Sequence, residues 1–323
     1  MPSDMSIAEP IETSRAVGAS EARAAPRRRP GWVVRLARVV ALAVIIGIGI
    51  NHIYWSIADW HLKDMNAYWD AGLRLRAGGP LFPPVTDVLA SEVYRYSPWF
   101  AWLWVPLTGL PREVVNVAWS IVLLAASFAA MTPLARGGQW LGVAFFLPIL
   151  IGISAGGNVH ALLIAALVLS VERRSGPLWI AIAASLKLFP ILFVLTYVGR
   201  REWLRAAATI AITGLFLVPF LLYDLSNYVT SAGPAELLIE WPVVYAVAVI
   251  GAIAASLWLA RTRYAWLASS TAVLLALPRS FLYDVTWLAV AVPSSTAGWR
   301  GKEPTAEAGM RSESSTPATA PNP

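Results

Sequence analysis

Eleven apolar blocks, at about residues 39–57, 98–110, 114–135, 140–153, 159–171, 178–186, 188–198, 203–222, 242–260, 264–277 and 280–293, fill most of this chain. In hydrocarbon a backbone has no water to bond, so it must satisfy its own N–H and C=O groups. Helices do this within one segment, and the pattern predicts an all-α, polytopic transmembrane protein. Composition agrees, with 57% of the 323 residues hydrophobic and 14% charged, against about 25% charged in a typical globular domain. The absence of cysteine rules out disulfides and thiolate metal sites. The formal charge of +6 sits at the ends of apolar blocks and makes no stripe with interleaved aromatics, so it reads as topology and not as a nucleic-acid surface.

Residues 1–31, ending in "APRRRPGW", lack the apolar core and cleavage site of a signal peptide and are expected to be a disordered cytoplasmic tail. Residues 294–323 are polar and low in complexity, a second expected tail. Between them, 32–293 is expected to form one membrane-embedded domain of the plasma membrane. Arg27, Arg28, Arg29, Arg35 and Arg38 precede the first span and place the N-terminus inside. The following loop, 58–97, then lies outside. The basic connections "VERRSG", "GRREWLR" and "ARTRY" should be cytoplasmic, and the acidic stretch 223–240 external. Counting back leaves one crossing too many before residue 171. Block 98–110 contains Pro98 and Pro106 and is expected to be a half-length or re-entrant helix, giving ten or eleven spans. No internal repeat of the kind seen in many transporters is evident.

Ionisable residues at membrane depth or its outer edge are costly and mark substrate sites by default. The candidates are Lys63, Asp64, Asp70, Arg74, Arg95, His160, Lys187, Arg279 and Asp284. Lys187, in "ASLKLFPILF", joins two apolar halves of a hairpin with basic ends, so its ammonium should emerge outside near Pro190. It is either a snorkelling lysine or an anion site, most simply for phosphate. Asp64, in "KDMNAYWDAGLRLRAGG", fits the N-cap of a helix that ends at Gly78 and Gly79. Met65, Tyr68, Gly72 and Leu75 share one face of that helix, a spacing suited to the membrane interface. An Asp at a helix start is equally a rigid place for a general base.

Asp70, with Arg74 at i+4, reads as a solvated or ion-paired surface acid. In "YRYSPWFAWLWVP" the aromatics around Arg95 suit an interfacial belt. In "SAGGNVHALL", Asn158 and His160 stand at a glycine-loosened helix start. With only His52 and His61 elsewhere, His160 belongs to no metal cluster and reads as a hydrogen-bonded structural residue. No Asp-x-Asp pair, Gly-rich phosphate loop or paired metal-binding acids occurs. A metal-dependent nucleotide-sugar enzyme is therefore disfavoured, and no metal or other cofactor is expected.

The order "KDMNAYWDAGLRLRAGGPLF", "YRYSPWFAWLWVPLTGLP", "GGNVHALLIAAL" and "ASLKLFPILFVLTYVGRREWLRAA" resembles glycosyltransferase family 87, over roughly residues 39–293. These are membrane glycosyltransferases of the C-type fold, including polyprenyl-phosphate-mannose-dependent mannosyltransferases and related arabinofuranosyltransferases. The resemblance implies transfer of a hexosyl, chiefly mannosyl, or pentosyl residue from a polyprenyl-phosphate sugar to a lipid or glycan acceptor on the outer face, without metal. It also implies an external interfacial helix carrying the catalytic acid, which falls on Asp64. The family's Lys-x-x-Pro element falls on Lys187 and Pro190, and its Gly-Gln-x-Asn element on Gly156, Gly157 and Asn158, with the glutamine missing. Near the C-terminus, "RSFLYDVTWLAVAVP" keeps Asp284 but has Val285 where many members have histidine.

A polyprenyl-phosphate sugar carries its own leaving group, so transfer needs a base for the acceptor hydroxyl and a cation for the departing phosphate. Asp64 and Lys187, helped by Arg95, are that pair, and direct displacement would invert the anomeric centre with one carboxylate. Tyr96, Asn158, Trp69 and Asp284 complete the expected substrate site, with Tyr94 and Trp99 shaping its entrance. The expected partners are the donor, the acceptor and membrane lipids, and no nucleic acid. Two rivals stand beside this reading: a transporter or flippase, and a catalytically inert relative.

Overall fold

In the computed structural model of this protein, residues 62–87, 90, 92–229, 239–279 and 281–291 are described, with scattered positions between 32 and 54. Both expected tails lie outside the described residues. The first apolar block is described only in part, and its described positions, such as Val39, Val44 and Tyr54, are helical. Contacts divide the chain into 1–46 and 47–323, and the architecture below belongs to the second unit.

Among the described residues there is no strand. The helices are α1 (Lys63–Arg76), α2 (Pro98–Trp104), α3 (Arg112–Arg136), α4 (Trp140–Ala155), α5 (His160–Ser170), α6 (Gly176–Leu186), α7 (Val194–Gly199), α8 (Trp203–Leu217), α9 (Pro242–Leu259) and α10 (Ala265–Ala276). A 3-10 turn, Phe189–Phe193, leads into α7, and another, Val218–Leu222, extends α8. A 3-10 helix of ten residues, Leu282–Ala291, closes the described chain.

Three helices are long and apolar enough to cross a membrane, Arg112–Arg136, Trp203–Leu222 and Pro242–Leu259. Six more are apolar but shorter. An 11-residue helix such as α5 or α6 is about 16 Å long, roughly half the ~30 Å hydrocarbon core. Each of the ten later apolar blocks is thus helical, but among the described helices only three cross unaided by length. Block 98–110 resolves into the seven-residue α2 and the turn Leu107–Gly109, far short of a crossing, as its prolines predict.

The short helices break where the sequence dictates. Gly157 has a positive φ of 79° after α4. Pro190 cannot donate the hydrogen bond that would carry α6 onward, and Lys187 leaves helical geometry at φ −141°, ψ 89°. Pro278 forces Leu277 into an extended conformation after α10. These breaks are drawn toward one another, because α5 packs on α6 and on the closing 3-10 helix, α10 packs on that same helix, and Lys187 meets His160 and Tyr283.

At the opposite ends of α5 and α6, about 16 Å along the axis, the basic connections meet. Arg200 holds Glu172 through both terminal guanidinium nitrogens, at 3.0 and 3.1 Å, and donates from Nε to the Ala260 carbonyl at 2.8 Å. The Trp266 indole also donates to Glu172. Arg205 donates to the carbonyl of Val171 at 2.9 Å and to the Tyr197 hydroxyl at 3.1 Å. Three connections far apart in sequence thus form one clasp at the base of the bundle.

Two readings of α1 need correction. Its first helical residue is Lys63 and the cap position is Leu62, so Asp64 lies inside the first turn and is not the N-cap. The orphan Asp64 N–H is satisfied by the Gly156 carbonyl at 2.9 Å, so no capping side chain is needed. The apolar face is not spread on a membrane interface either. Met65, Tyr68 and Gly72 are buried, and a Cβ on Gly72 would stand 3.0 Å from Trp104 and Thr108, so this face packs on protein. The end is as expected: Gly78 has φ +72°, and the Gly79 N–H returns to the Arg74 carbonyl at 2.8 Å.

Candidate active site

The start of α1 docks on the break between α4 and α5. Besides the Asp64 to Gly156 bond, the Gly157 carbonyl accepts from the Trp119 indole of α3 at 2.8 Å. A Cβ on Gly157 would meet Met65 Cβ at 2.8 Å and the Met65 nitrogen at 3.1 Å. Gly157 therefore lets α1 approach closely enough to bring its carboxylate to α5. Gly157→Ala, which combines this clash with an unfavourable φ, is expected to destabilise the protein by about 1–3 kcal/mol. Thermal unfolding checks the loss, and transfer activity should fall with it because Asp64 is displaced.

Asn158 is the junction of the site. Its side-chain oxygen accepts from the His160 N–H at 2.9 Å, which leaves its amide hydrogens to face outward. That side chain lies within hydrogen-bonding reach of both the Asp64 carboxylate and the Tyr96 hydroxyl. Tyr68, one turn after Asp64 on the same face, accepts from the Val159 N–H at 3.3 Å. Its buried ring meets Tyr96 and Phe100 edge-on at 5.0 Å and tilts against Trp104 at 5.4 Å. Such pairing fixes the ring as well as burying it. Asp64 thus stands on a rigid wall.

Lys187, at the apex between α6 and the turn before α7, supplies the cation. Its ammonium lies 3.4 Å from His160 Nδ1 and 4.7 Å above the Tyr283 ring. It feels the charges of Asp284 and Asp64, and Asp64 in turn feels Lys187 and Arg95. Asp284 is buried, and its carboxylate accepts the Phe281 N–H at 2.8 Å. It therefore both fixes the start of the closing 3-10 helix and offsets the Lys187 charge. Burial pushes the Asp64 carboxyl above its ordinary range, against the opposing pull of Lys187, the Asn158 bond and Arg95.

The sequence-predicted residues therefore divide. Asp64, Tyr96, Asn158, Lys187 and Asp284 converge. Arg95 is at the margin, its guanidinium bonded to the carbonyls of Ala90 at 2.9 Å and Val93 at 3.2 Å, where it shapes the loop before α2. Trp69 is elsewhere, its ring under the Arg112 guanidinium at 5.5 Å on another face of α1. Trp99 donates to Ser185 at 3.1 Å and so ties α2 to the end of α6. Asp70 is half-buried near Arg112, Arg74 and Glu92, and borders a separate concavity of about 370 Å³ that Phe82, Asp87 and Tyr94 also line.

Three side chains of the site, Tyr68, Tyr283 and Thr286, are not singled out for it by the sequence, and a fourth, His160, is a candidate read for another role. Tyr68 was assigned only to an apolar face, yet it lies at i+4 from Asp64. Tyr283 and Thr286 flank Asp284, and a 3-10 helix eclipses i and i+3, which stacks them along one edge. His160 was expected to be structural. It is fully buried, but its ring reaches Lys187.

A family model described as glycosyltransferase family 87 matches residues 94–292, more than half of the chain. The chain belongs to glycosyltransferase family 87. No curated protein matches it, and no solved structure does. Membership makes this a glycosyltransferase, and with its apolar helices a membrane protein. The matched segment carries Arg95, Tyr96, Asn158, Lys187 and Asp284 but begins after α1. The place of Asp64 in the site rests on the docking of α1 against Gly156 and Gly157.

Proposed function

We propose that this family 87 glycosyltransferase moves a hexosyl residue, most simply mannosyl, from a polyprenyl-phosphate sugar to a hydroxyl of a lipid or glycan acceptor, with inversion. The observation that carries the reading is that one carboxylate and one cation, Asp64 and Lys187, lie close enough to feel each other's charge, with the Asn158 side chain beside the carboxylate. Asp64 takes the proton of the acceptor hydroxyl. The acceptor oxygen bonds to the anomeric carbon as the bond from that carbon to the phosphate oxygen breaks. The leaving phosphate keeps the electron pair, and Lys187 holds its growing charge. Because one displacement needs one base, no second carboxylate has to reach the anomeric carbon. Asp284 instead tempers the Lys187 charge when the site is empty.

The topology proposed with this reading is multi-pass in the plasma membrane, with the N-terminus inside and the site outside. Its support is the distribution of charge: the basic clasp of Glu172, Arg200 and Arg205 lies at one end of α5 and α6, and the site at the other. The described start of the acidic stretch, residues 223–229, reaches the margin of the site, where the Tyr228 hydroxyl donates to the Arg95 carbonyl at 3.2 Å.

The test is transfer by the purified protein, in nanodiscs, from radiolabelled polyprenyl-phosphate mannose to a lipid extract. Labelled product with inverted anomeric configuration is expected. No transfer from any polyprenyl-phosphate sugar, or retention of configuration, would overturn the reading.

A further inference from the structure

We infer that His160 is the positioning residue for the Lys187 ammonium, held by Thr286 as the neutral tautomer protonated on Nε2. The Thr286 hydroxyl donates its single proton to the Tyr283 carbonyl at 2.7 Å. The same oxygen is 2.7 Å from His160 Nε2, and with its proton committed it can only accept. Nε2 therefore carries the hydrogen, and Nδ1 presents a lone pair. That lone pair faces Lys187 Nζ at 3.4 Å, the long end of hydrogen-bond reach, and an ammonium can only donate.

The ring has little freedom to do otherwise. It is fully buried, set edge-on between Tyr283 at 5.0 Å and Trp287 at 4.7 Å, and its backbone N–H is tied to Asn158. The chemical advantage lies in neutrality. Lysine is a flexible point charge whose ordering costs conformational entropy. A carboxylate in direct contact would order it but cancel the charge that an anion needs. A neutral imidazole acceptor, with the Tyr283 face beneath, orders the ammonium and leaves its charge available.

The functional consequence rests on the proposed role of Lys187, so the test has one arm for the contact and one for the reaction. Asparagine at 160 places an acceptor near the position of Nδ1, whereas glutamine reaches the position of Nε2 and keeps only the Thr286 side. The chain has three lysines, Lys63, Lys187 and Lys302. The side-chain ¹³Cε signal of Lys187, assigned by its loss in Lys187→Arg, is therefore readable in labelled protein in nanodiscs.

In His160→Gln the Lys187 signal is expected to move toward that of free lysine and the donor KM to rise about tenfold, the loss of one hydrogen bond to a charged group. In His160→Asn the Lys187 signal should stay at its wild-type position and the donor KM within about threefold of wild type, with kcat little changed. A residue that merely braces Thr286 would give the reverse order, and that result would overturn the inference, as would a Lys187 signal unmoved in His160→Gln. A signal that moves while donor KM does not upholds His160 as the positioning residue and overturns the phosphate role of Lys187 instead. Thr286→Val, which touches neither Lys187 nor the backbone bond of His160, should move the same signal by freeing the tautomer.

Discussion

Replacing Asp64 with asparagine is expected to lower the transfer rate by about 10³-fold, the scale of a lost general base, while the protein stays folded. The replacement keeps size and shape, and the backbone N–H that anchors α1 to the Gly156 carbonyl is untouched. The Asn158 amide can still donate to the new side-chain oxygen. What is lost is the proton acceptor and its negative charge. The pH dependence follows from the direction of the Asp64 shift, which is upward because burial outweighs Lys187, Asn158 and Arg95. The base works deprotonated, so kcat/KM should fall as pH drops through this raised pKa, with an acid limb above the ~3.9 of an ordinary aspartate.

The stability sign runs the other way. A carboxyl whose folded pKa is raised binds its proton more tightly folded than unfolded, so its ionised form costs stability above that pKa. Asp64→Asn should therefore melt at the same temperature as the wild type or slightly higher, the usual trade at a functional site. A variant that transfers as well as wild type would remove Asp64 from the mechanism. One that loses activity together with melting temperature would make it a structural acid.

Much of the scaffold was legible because lipid-facing sequence leaves so few options. The apolar blocks fell within a few residues of α3 to α10, and Pro190, Pro278 and the Gly156–Gly157 pair stand where the helices break. The weakness of block 98–110 was readable from Pro98 and Pro106. Two features of α1 were not legible. A cap signature at Asp64 looks the same whether its N–H is satisfied by its own chain neighbours or by a carbonyl ninety residues on. An apolar stripe of Met65, Tyr68 and Gly72 looks the same whether lipid or Trp104 covers it. Both are questions of tertiary partner, which periodicity does not carry.

The site shows the same division. Lys187 could be found because a lone cation between apolar segments is costly, and Asp284 because it is an acid in an apolar helix. Tyr283 and Thr286 carry no such cost signal, and His160, a candidate by that signal, reads from the sequence as structural. They acquire a role only when the breaks at 157, 187 and 278 are drawn toward one another and the Thr286 hydroxyl is seen to be shared between a carbonyl and an imidazole.

Lys187 yields the second large effect. Lys187→Met keeps the length of the stem and removes the charge, and transfer is expected to fall by about 10²–10³-fold, the range for losing one electrostatic stabiliser of a developing anion. A snorkelling lysine would behave otherwise, since an apolar replacement at a helix apex costs such a residue little. The loss also unbalances Asp284, which is buried and then has its bonds from the Phe281 N–H and the Trp287 side chain, but no cation, as compensation for its charge. Lys187→Met alone should therefore lose about 1–2 kcal/mol of stability as well as activity, because a buried charge is left without its opposite. The pair separates the two effects: Lys187→Met with Asp284→Asn removes both charges and should recover the melting temperature but none of the transfer. Recovery of transfer in the double variant would mean that the lysine serves only to neutralise Asp284, and the leaving phosphate would need another cation.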